Sequence, residues 1–170
     1  MDVRIDGAKE HFKFRVCGVL THNNKYLVVK IANNNFYCLP GGHVEIGEDT
    51  HAAVIREMKE ELTYDVKIKQ LLGIAQNLYT RDLGKEFHEI GYYYLVEAVN
   101  PKDIKTEDYV VTECDKGVYK RLEFKWFSLE ELQSIDFKPE FAKVILNPNK
   151  MTHIINDHGK ITCCESYIVE

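Results

Sequence analysis

The distribution of apolar and polar positions predicts strands along most of the chain. Residues 12–21 alternate loosely, and residues 25–31, KYLVVKI, follow across an Asn-Asn turn, so the two runs are expected to pair as a hairpin. Further strands are predicted at 36–39, 66–78, 88–99 and 122–127. The polar, acidic segment 101–121 shows no clear period and is predicted to be a long functional or mobile loop.

A longer helix is predicted over residues 50–62. Val54, Met58 and Leu62 recur at helical spacing and form an apolar stripe that can pack on a core. The helix cap is expected at Asp49 or Thr50. Shorter helices are predicted at 129–133 and 139–146, and a C-terminal hairpin at 152–170. Strands in runs with helices between them predict an α/β (α+β) fold.

Composition narrows the class of protein. At 170 residues, the chain is expected to be one domain over residues 1–170. A net charge of −5 makes a nucleic-acid partner unlikely to be the main one. We find no apolar run that approaches the roughly 20 residues of a membrane span, and no signal peptide, so we expect a cytoplasmic protein without a membrane partner. Five cysteines, an odd number, fit reduced thiols better than a disulfide framework.

Acidic residues concentrate between residues 41 and 64. They are Glu45, Glu48, Asp49, Glu57, Glu60 and Glu61. On a helix the last three lie at i, i+3 and i+4 and share one face. Carboxylates this close repel one another, so the face is either solvated or neutralised by a cation. Oxygen ligands at this density suit Mg²⁺ or Mn²⁺.

The spacing of these residues is specific. Gly42 is followed by five residues and Glu48, then by seven residues and the run Arg56-Glu57-Met58-Lys59-Glu60-Glu61. This pattern resembles the signature box of the Nudix hydrolase family, with every charged position present. Thr63 stands where that box has Gly, and Tyr64 where it has an aliphatic residue. Because a Gly just past a helix end usually takes the left-handed conformation, Thr63 predicts a different helix end or a strained residue.

The resemblance implies a fold and a reaction. The fold is expected to be a mixed β-sheet sandwiched between helices, with a core over about residues 12–147 and residues 152–170 added as an extension. The reaction is expected to be metal-dependent hydrolysis of a pyrophosphate bond in a (d)NTP, or in a nucleoside diphosphate linked to another moiety. A small-molecule nucleotide is the implied substrate. A homodimer paired through the extension is a further expectation.

Carried over position by position, the resemblance also implies roles. The implied metal ligands are the carboxylates of Glu57, Glu60 and Glu61 and the Gly41 carbonyl oxygen. Arg56 and Glu48 are expected to pair and so to orient the ligand carboxylates. The general base varies within the family, and the candidates here are Glu60, Glu61, Glu107, Glu113 and Glu123. Glu113 is carried forward because the acidic segment can fold over the site, with a solvated loop charge as the alternative.

Substrate contacts and two other functions stay open. Base stacking or phosphate binding is considered for Tyr79, Arg81, His88 and the tyrosines at 92–94, with core packing as the alternative. His43 can touch phosphate or lie exposed on a loop. Thr63, in place of the usual Gly, is compatible with a nucleotide-binding or regulatory module that has weak catalytic activity. Cys38, just before the box, would suit an isoprenoid diphosphate isomerase.

Overall fold

The computed structural model describes residues 1–115 and 117–167 of the chain. Its elements in chain order are β1 (Arg4–Asp6), β2 (Glu10–His22), β3 (Lys25–Ile31), β4 (Gly41–His43), α1 (Thr50–Leu62), β5 (Val66–Arg81), β6 (Lys85–Ala98), β7 (Tyr109–Asp115), β8 (Val118–Ser128), α2 (Leu129–Gln133), α3 (Ala142–Ile145), β9 (Lys150–Asp157) and β10 (Lys160–Tyr167). The last three residues of the predicted C-terminal hairpin, 168–170, lie outside the described residues.

The strands form one mixed sheet. Its order is β10-β9-β5-β6-β2-β3-β8-β7, and β1 and β4 also pair with β2. The pairs β2–β6 and β5–β9 are parallel, and the remaining pairs are antiparallel. Strand β2 is central because its residues 10–20 pair with β6, whereas Thr21 and His22 turn to pair with β3. The predicted mixed sheet and C-terminal hairpin are confirmed.

Two cores lie on opposite faces of this sheet. Successive side chains of a strand point to opposite faces, so Val16 joins the core under α1 while Cys17 joins the core under α2 and α3. Tyr94 and Tyr93 divide between the two cores in the same way. Helices therefore cover both faces, as predicted.

Helix α1 packs on the sheet through its predicted stripe. Val54, Met58 and Leu62 are fully buried, and burial stabilises such side chains by about 1.5–3 kcal/mol each. The Asp49 carboxylate caps the helix by accepting from the backbone N–H groups of residues 51 and 52, both at 2.9 Å. The opposite face of the helix is therefore held at a fixed orientation to the sheet.

Some predicted elements were wrong in extent. Residues 101–121 are not one long loop, because β7 and the first part of β8 pair there as a hairpin. The segment 36–39 forms isolated bridges at Tyr37 and Cys38 rather than a strand. The predicted helix at 139–146 is shorter, since only Ala142–Ile145 is helical. Among the described residues, no helix is long and apolar enough to cross a membrane.

Candidate active site

The loop into β4 brings the backbone close to the carboxylates of α1. Gly41 has φ +139°, and a Cβ there would collide with the Val16 carbonyl group. A Cβ on Gly42 would fall on the Glu57 carboxylate. Position 41 therefore needs glycine, whereas a side chain at position 42 would displace the Glu57 carboxylate. The consequence is that backbone groups of this loop and the acidic face of α1 share one space.

Arg56 holds this acidic face in place. Its Nε and Nη2 donate to the two oxygens of Glu48 at 2.8 and 2.9 Å, and Nη1 donates to Glu57 Oε1 at 2.8 Å and Glu60 Oε2 at 3.2 Å. Nη2 also donates to the His43 carbonyl oxygen at 3.0 Å. All five N–H donors of the guanidinium are thus used. The predicted Arg56–Glu48 pair is present, and it lowers the pKa of Glu48.

Three carboxylates converge beside Arg56. Glu57, Glu60 and Glu113 each offer an oxygen, and these oxygens lie within 4.8 Å of one another. Glu113 reaches the group from β7, where the Lys120 ammonium lies 4.0 Å from its Oε2. The group opens into a cavity of about 620 Å³. Sequence spacing alone supplied two of these residues, and the β7–β8 hairpin supplies the third.

Glu61 occupies a separate position in the same cavity. It is 6 % exposed, and its Oε2 accepts from the Gly41 N–H at 3.2 Å. Burial, and then the neighbouring carboxylates Glu113 and Glu57, raise the pKa of Glu61 well above its usual value. Burial likewise raises the pKa of Glu57. Taken together, the cavity has an excess of buried negative charge, which a cation would neutralise.

The donor set fits a divalent cation. Oxygen ligands lie about 2.1 Å from Mg²⁺, so two of them can be at most about 4.2 Å apart. The spread of 4.8 Å among Glu57, Glu60 and Glu113 needs only a small side-chain movement to reach that value. Among the described residues, Glu57, Glu60 and Glu113 are the one group of three or more potential metal ligands that lie close together. The Gly41 carbonyl oxygen accepts from Arg15 Nη2 at 3.3 Å.

Two candidate bases lie elsewhere. Glu123 pairs with Arg121 at 3.3 Å on β8, and Glu107 is an exposed residue of the connection before β7. Neither lines the cavity. Of the three glutamates considered outside the box, only Glu113 lies beside the carboxylates of Glu57 and Glu60.

The candidates for substrate recognition divide between the two faces of the sheet. His88 accepts or donates at 2.8 Å with the Gln76 amide and packs edge-on against Phe12. Tyr79 lies on the opposite face and stacks on Phe87, with Arg81 over both rings. The tyrosines at 92–94 pack into the cores, and the Tyr94 hydroxyl lies 2.7 Å from Thr50 Oγ1. Of the two roles considered for these tyrosines, core packing is the one that the structure shows.

Arg15 and His43 also line the cavity. The two face each other across the β2–β4 pairing. Arg15 ion-pairs with Glu89 at 3.9 Å, and burial lowers the pKa of His43 to about 4. The signal for Arg15 was weak because β4 reads in the sequence as a glycine loop rather than a strand. His43 is not an exposed loop residue, which corrects that alternative.

Cys38 does not have the environment of a reactive thiolate. Its thiol donates to the Val29 carbonyl at 3.6 Å, and burial raises its pKa to about 11. The neighbouring thiol of Cys17 has its pKa raised to about 12 by burial as well. The isomerase alternative therefore loses the feature that suggested it.

Comparison with known proteins gives a family match. The family model described as NUDIX domain matches residues 11–147. The chain is 36 % identical over 92 residues to an ADP-ribose pyrophosphatase of Methanocaldococcus jannaschii, an alignment that covers 52 % of this chain and 53 % of that protein. It is 27 % identical over 167 residues to Nudix hydrolase 25 of Arabidopsis thaliana, covering 89 % of this chain and 91 % of that protein.

A solved structure shares the fold. The crystal structure of the mutator MutT protein from Bacillus halodurans superposes with a TM-score of 0.55 at 14 % identity, covering 90 % of this chain and 97 % of that one. At this identity the likeness concerns the fold alone. The chain spans about half the length of the archaeal relative, so that protein's activity is not transferred by the match itself.

Proposed function

This chain belongs to the NUDIX domain family, and from that premise we propose that it hydrolyses a pyrophosphate bond with the help of Mg²⁺ or Mn²⁺. The substrate class is a nucleoside diphosphate linked to another moiety, or a (d)NTP. In the reaction, the oxygen of water forms a bond to phosphorus, the bridging P–O bond breaks, and the proton of water passes to a carboxylate. The divalent cation supplies charge neutralisation of the phosphates and acidifies water.

One observation carries this proposal. The oxygens of Glu57, Glu60 and Glu113 lie within 4.8 Å of one another at the mouth of a cavity large enough for a nucleotide. Phosphoryl transfer needs little covalent chemistry from a protein, because positioning and electrostatics supply most of the rate. A convergent set of carboxylates on a packed helix meets that need.

Arg56 and Glu48 position the ligand carboxylates. Because every donor of Arg56 is used, the side chain cannot turn toward a substrate without releasing Glu57 or Glu60. We therefore assign Arg56 to holding the carboxylates apart at a fixed spacing. Glu48 fixes Arg56 in turn through the bidentate pair.

Glu61 is our choice for the group that accepts the proton. It lines the cavity but stands outside the convergent group of three, so its carboxylate remains available. Burial makes it more basic than an exposed glutamate, which favours proton transfer near neutral pH. Glu113, first considered as base, is instead assigned to the cation together with Glu57 and Glu60.

ADP-ribose is the first substrate to test. The archaeal relative carries the name ADP-ribose pyrophosphatase, and ADP-ribose belongs to the class of nucleoside diphosphates linked to another moiety. The panel should also hold canonical triphosphates, oxidised triphosphates, nucleotide sugars and dinucleoside polyphosphates. Phosphate and pyrophosphate release would be measured with Mg²⁺, with Mn²⁺ and with EDTA.

Three variants test the roles. Glu57→Gln and Glu61→Gln are each expected to lower kcat by at least 100-fold on the substrate that the wild type prefers, because they remove a cation ligand and the base. Glu140→Gln, on an exposed residue remote from the cavity, is the matched control and should keep wild-type turnover. Circular dichroism would establish that all three variants fold.

The outcomes separate hydrolase from binding module. Metal-dependent turnover that is lost in Glu57→Gln and Glu61→Gln supports the hydrolase. A folded wild type that binds Mn²⁺ and nucleotide but hydrolyses no member of the panel would contradict it and favour the nucleotide-binding module. Full activity in Glu61→Gln would remove Glu61 from the mechanism and return Glu113 to the role of base.

A further inference from the structure

Three aromatic side chains form a stacked row across β2, β6 and β5, hereafter the ring row: His11, Phe87 and Tyr79. Register places them side by side. His11 stacks on Phe87 with centroids 4.5 Å apart and planes at 10°, and Phe87 stacks on Tyr79 at 5.0 Å and 6°. The two faces of Phe87 are therefore covered by its neighbours. A ring that is closed on both sides offers no platform for a nucleobase.

Two cations lie against the ring row. Lys13 Nζ is 5.1 Å from the Phe87 centroid, and the Arg81 guanidinium is 5.3 Å from Phe87 and 5.5 Å from Tyr79. Within the part of the chain that the structure describes, neither cation has a carboxylate within 4.0 Å or a side-chain hydrogen bond. Cation–π contacts of this kind are weak at exposed sites. Among the described residues neither group thus has a direct ion-pair partner, and Glu89 acts on Lys13 only from beyond 4.0 Å.

The carboxylates nearby are engaged by other cations. Asp6 pairs with Arg4 at 2.8 Å, and its other carboxylate oxygen lies 3.5 Å from His11 Nδ1. Glu89 is buried and lies 3.9 Å from Arg15. Burial lowers the pKa of Lys13, the charge of Glu89 opposes this shift, and the charges of Arg15 and Arg81 add to it. Lys13, Arg15 and Arg81 thus lie close together on one surface of a chain whose net charge is −5.

The unpaired cations continue a line that begins in the candidate active site. Arg15 lines the cavity with the carboxylates of α1. Lys13 lies two residues away on the same strand and therefore on the same face, about 7 Å along β2. The ring row follows about 7 Å further, at His11. Positive charge thus extends from the cavity outward over roughly 14 Å.

We propose that Lys13 and Arg81, held on the ring row, bind a second phosphoryl group of the substrate, one that lies beyond the bond that is cleaved. The proposal rests on the proposed hydrolase function and narrows its substrate class. Ammonium and guanidinium groups bind phosphate through charge-assisted hydrogen bonds, whereas both faces of Phe87 are covered and closed to a base. The preferred substrates are then those with a longer phosphate chain or a phosphorylated distal moiety.

A matched pair of substrates tests this kinetically. Diadenosine diphosphate and diadenosine tetraphosphate differ only in the number of phosphates. For the tetraphosphate, Lys13→Gln and Arg81→Gln are each expected to lower kcat/KM about tenfold, mainly through KM, because a charge-assisted hydrogen bond of this strength is lost. For the diphosphate, kcat/KM should stay within about twofold.

The control variant is Lys160→Gln. Lys160 is an exposed lysine on β10 that forms no ion pair with the described residues. Its substitution therefore changes the net charge of the protein by the same amount as Lys13→Gln or Arg81→Gln. Both substrates should be turned over by this variant as by the wild type. If all three variants slow the tetraphosphate equally, the effect is a general one of net charge and the proposed site is wrong. Equal slowing of both substrates by Lys13→Gln would also contradict it.

A binding measurement separates this proposal from the hydrolase function. Inorganic tripolyphosphate is titrated calorimetrically into metal-free protein in EDTA. Its Kd should rise at least tenfold in the Lys13→Gln/Arg81→Gln double variant and not in Lys160→Gln. If no nucleotide is hydrolysed but this dependence holds, the hydrolase function fails and the anion site stands. Equal binding by wild type and double variant overturns the site, whatever the enzyme hydrolyses.

Discussion

Arg56 and Lys13 are two cations close to the same cavity, and their surroundings differ completely. Arg56 uses all five donors on protein oxygens, whereas Lys13 has no acceptor among the described residues and lies 5.1 Å from the centroid of the Phe87 ring. A side chain whose donors are all used by the protein fixes geometry and has nothing left to offer a ligand. A cation without a partner is costly to keep half-buried unless an anion arrives. The comparison thus separates positioning groups from binding groups within one site.

The partners of the two cations also come from different distances along the chain. The side-chain partners of Arg56 lie at residues 48, 57 and 60, within about two turns of helix and its preceding loop. Lys13 meets Phe87 only because β2 and β6 run parallel in one register. Local partners give a readable sequence pattern, whereas partners set by sheet register do not.

Substituting Arg56 and Arg81 in turn should give the largest difference in the free energy of unfolding. Arg56→Met leaves Glu57 buried without its cation, so we expect the free energy of unfolding to fall by about 2–4 kcal/mol. Arg81→Met removes an exposed cation that forms no ion pair with the described residues, so stability should change by less than about 0.5 kcal/mol. Urea unfolding in metal-free buffer measures both. Similar losses in the two variants would show that the network around Arg56 does not stabilise the fold.

Substitution of Glu89 should increase the unbalanced positive charge around Arg15 and Lys13. It is 7 % exposed, and Arg15 is its ion-pair partner. Glu89→Gln keeps the shape of the side chain but removes its charge, so Arg15 and Lys13 lose their nearest anion. Stability should fall by about 1–3 kcal/mol, because a buried charge is left unpaired. Tripolyphosphate should recover more stability in this variant than in the wild type, as measured by thermal melting with and without the anion.

A result in the other direction would be informative. If Glu89→Gln is as stable as the wild type and tripolyphosphate stabilises both equally, then Glu89 does not balance the cations of β2. The matched comparison is Glu97→Gln, whose carboxylate pairs with two exposed lysines, Lys67 and Lys69, on the surface. Such exposed pairs contribute little, so this variant should lie within about 0.5 kcal/mol of the wild type.

The same distinction explains what could be predicted from the sequence. The range of α1 follows from helical spacing, and of the two cap candidates, Asp49 and Thr50, the structure shows Asp49. Of the three glutamates predicted to share one face, Glu57 and Glu60 lie in the convergent group, whereas Glu61 does not. Glu113 was named for its acidic segment, but its place depends on the β7–β8 hairpin. That hairpin was missed because residues 109–115 carry polar and apolar side chains without clear alternation. The ring row needed the registers of three strands, which no local pattern encodes.

His43 gives a prediction for the dependence of stability on pH. Burial and the positive charge of Arg15 lower its pKa from an ordinary 6.5 to about 4. The unfolded state therefore binds a proton more readily, and stability is complete above pH 6.5 and lost as the pH falls through the window to 4. Discounted for partial exposure, the loss is about 1–2 kcal/mol. The wild type should lose that much more than His43→Gln between pH 7 and pH 4, by urea unfolding in EDTA.

The His43 variant isolates this contribution from the carboxylates. Because the pKa values of Glu57 and Glu61 are raised in the folded state, both residues make the folded protein more stable as the pH falls. They do so in the wild type and in the variant alike. Their contribution cancels in the difference between the two proteins. Parallel pH profiles for wild type and His43→Gln would mean that the imidazole keeps an ordinary pKa in the folded protein.

Thr63 should give the smallest effect and the cleanest test of the departure from the box. It takes φ 69° and ψ 10° just after α1, so the helix ends in the usual way with a strained residue. Its backbone N–H donates to the Lys59 carbonyl at 3.0 Å, which glycine would preserve. Left-handed backbone costs a residue with a Cβ about 1–2 kcal/mol, partly offset by the greater freedom of unfolded glycine. Thr63→Gly should therefore stabilise by about 0.5–1 kcal/mol, as measured by urea unfolding.

Thr63→Ala keeps the Cβ and is the matched control, with stability expected within about 0.5 kcal/mol of the wild type. Turnover should be unchanged in both variants, because the carboxylates end at Glu61 and the helix end is already formed around Thr63. If Thr63→Gly instead raises kcat several-fold without stabilising the fold, the strained residue restrains the active site. That result would favour a regulatory role for this chain, since a single side chain at the helix end would then limit the reaction.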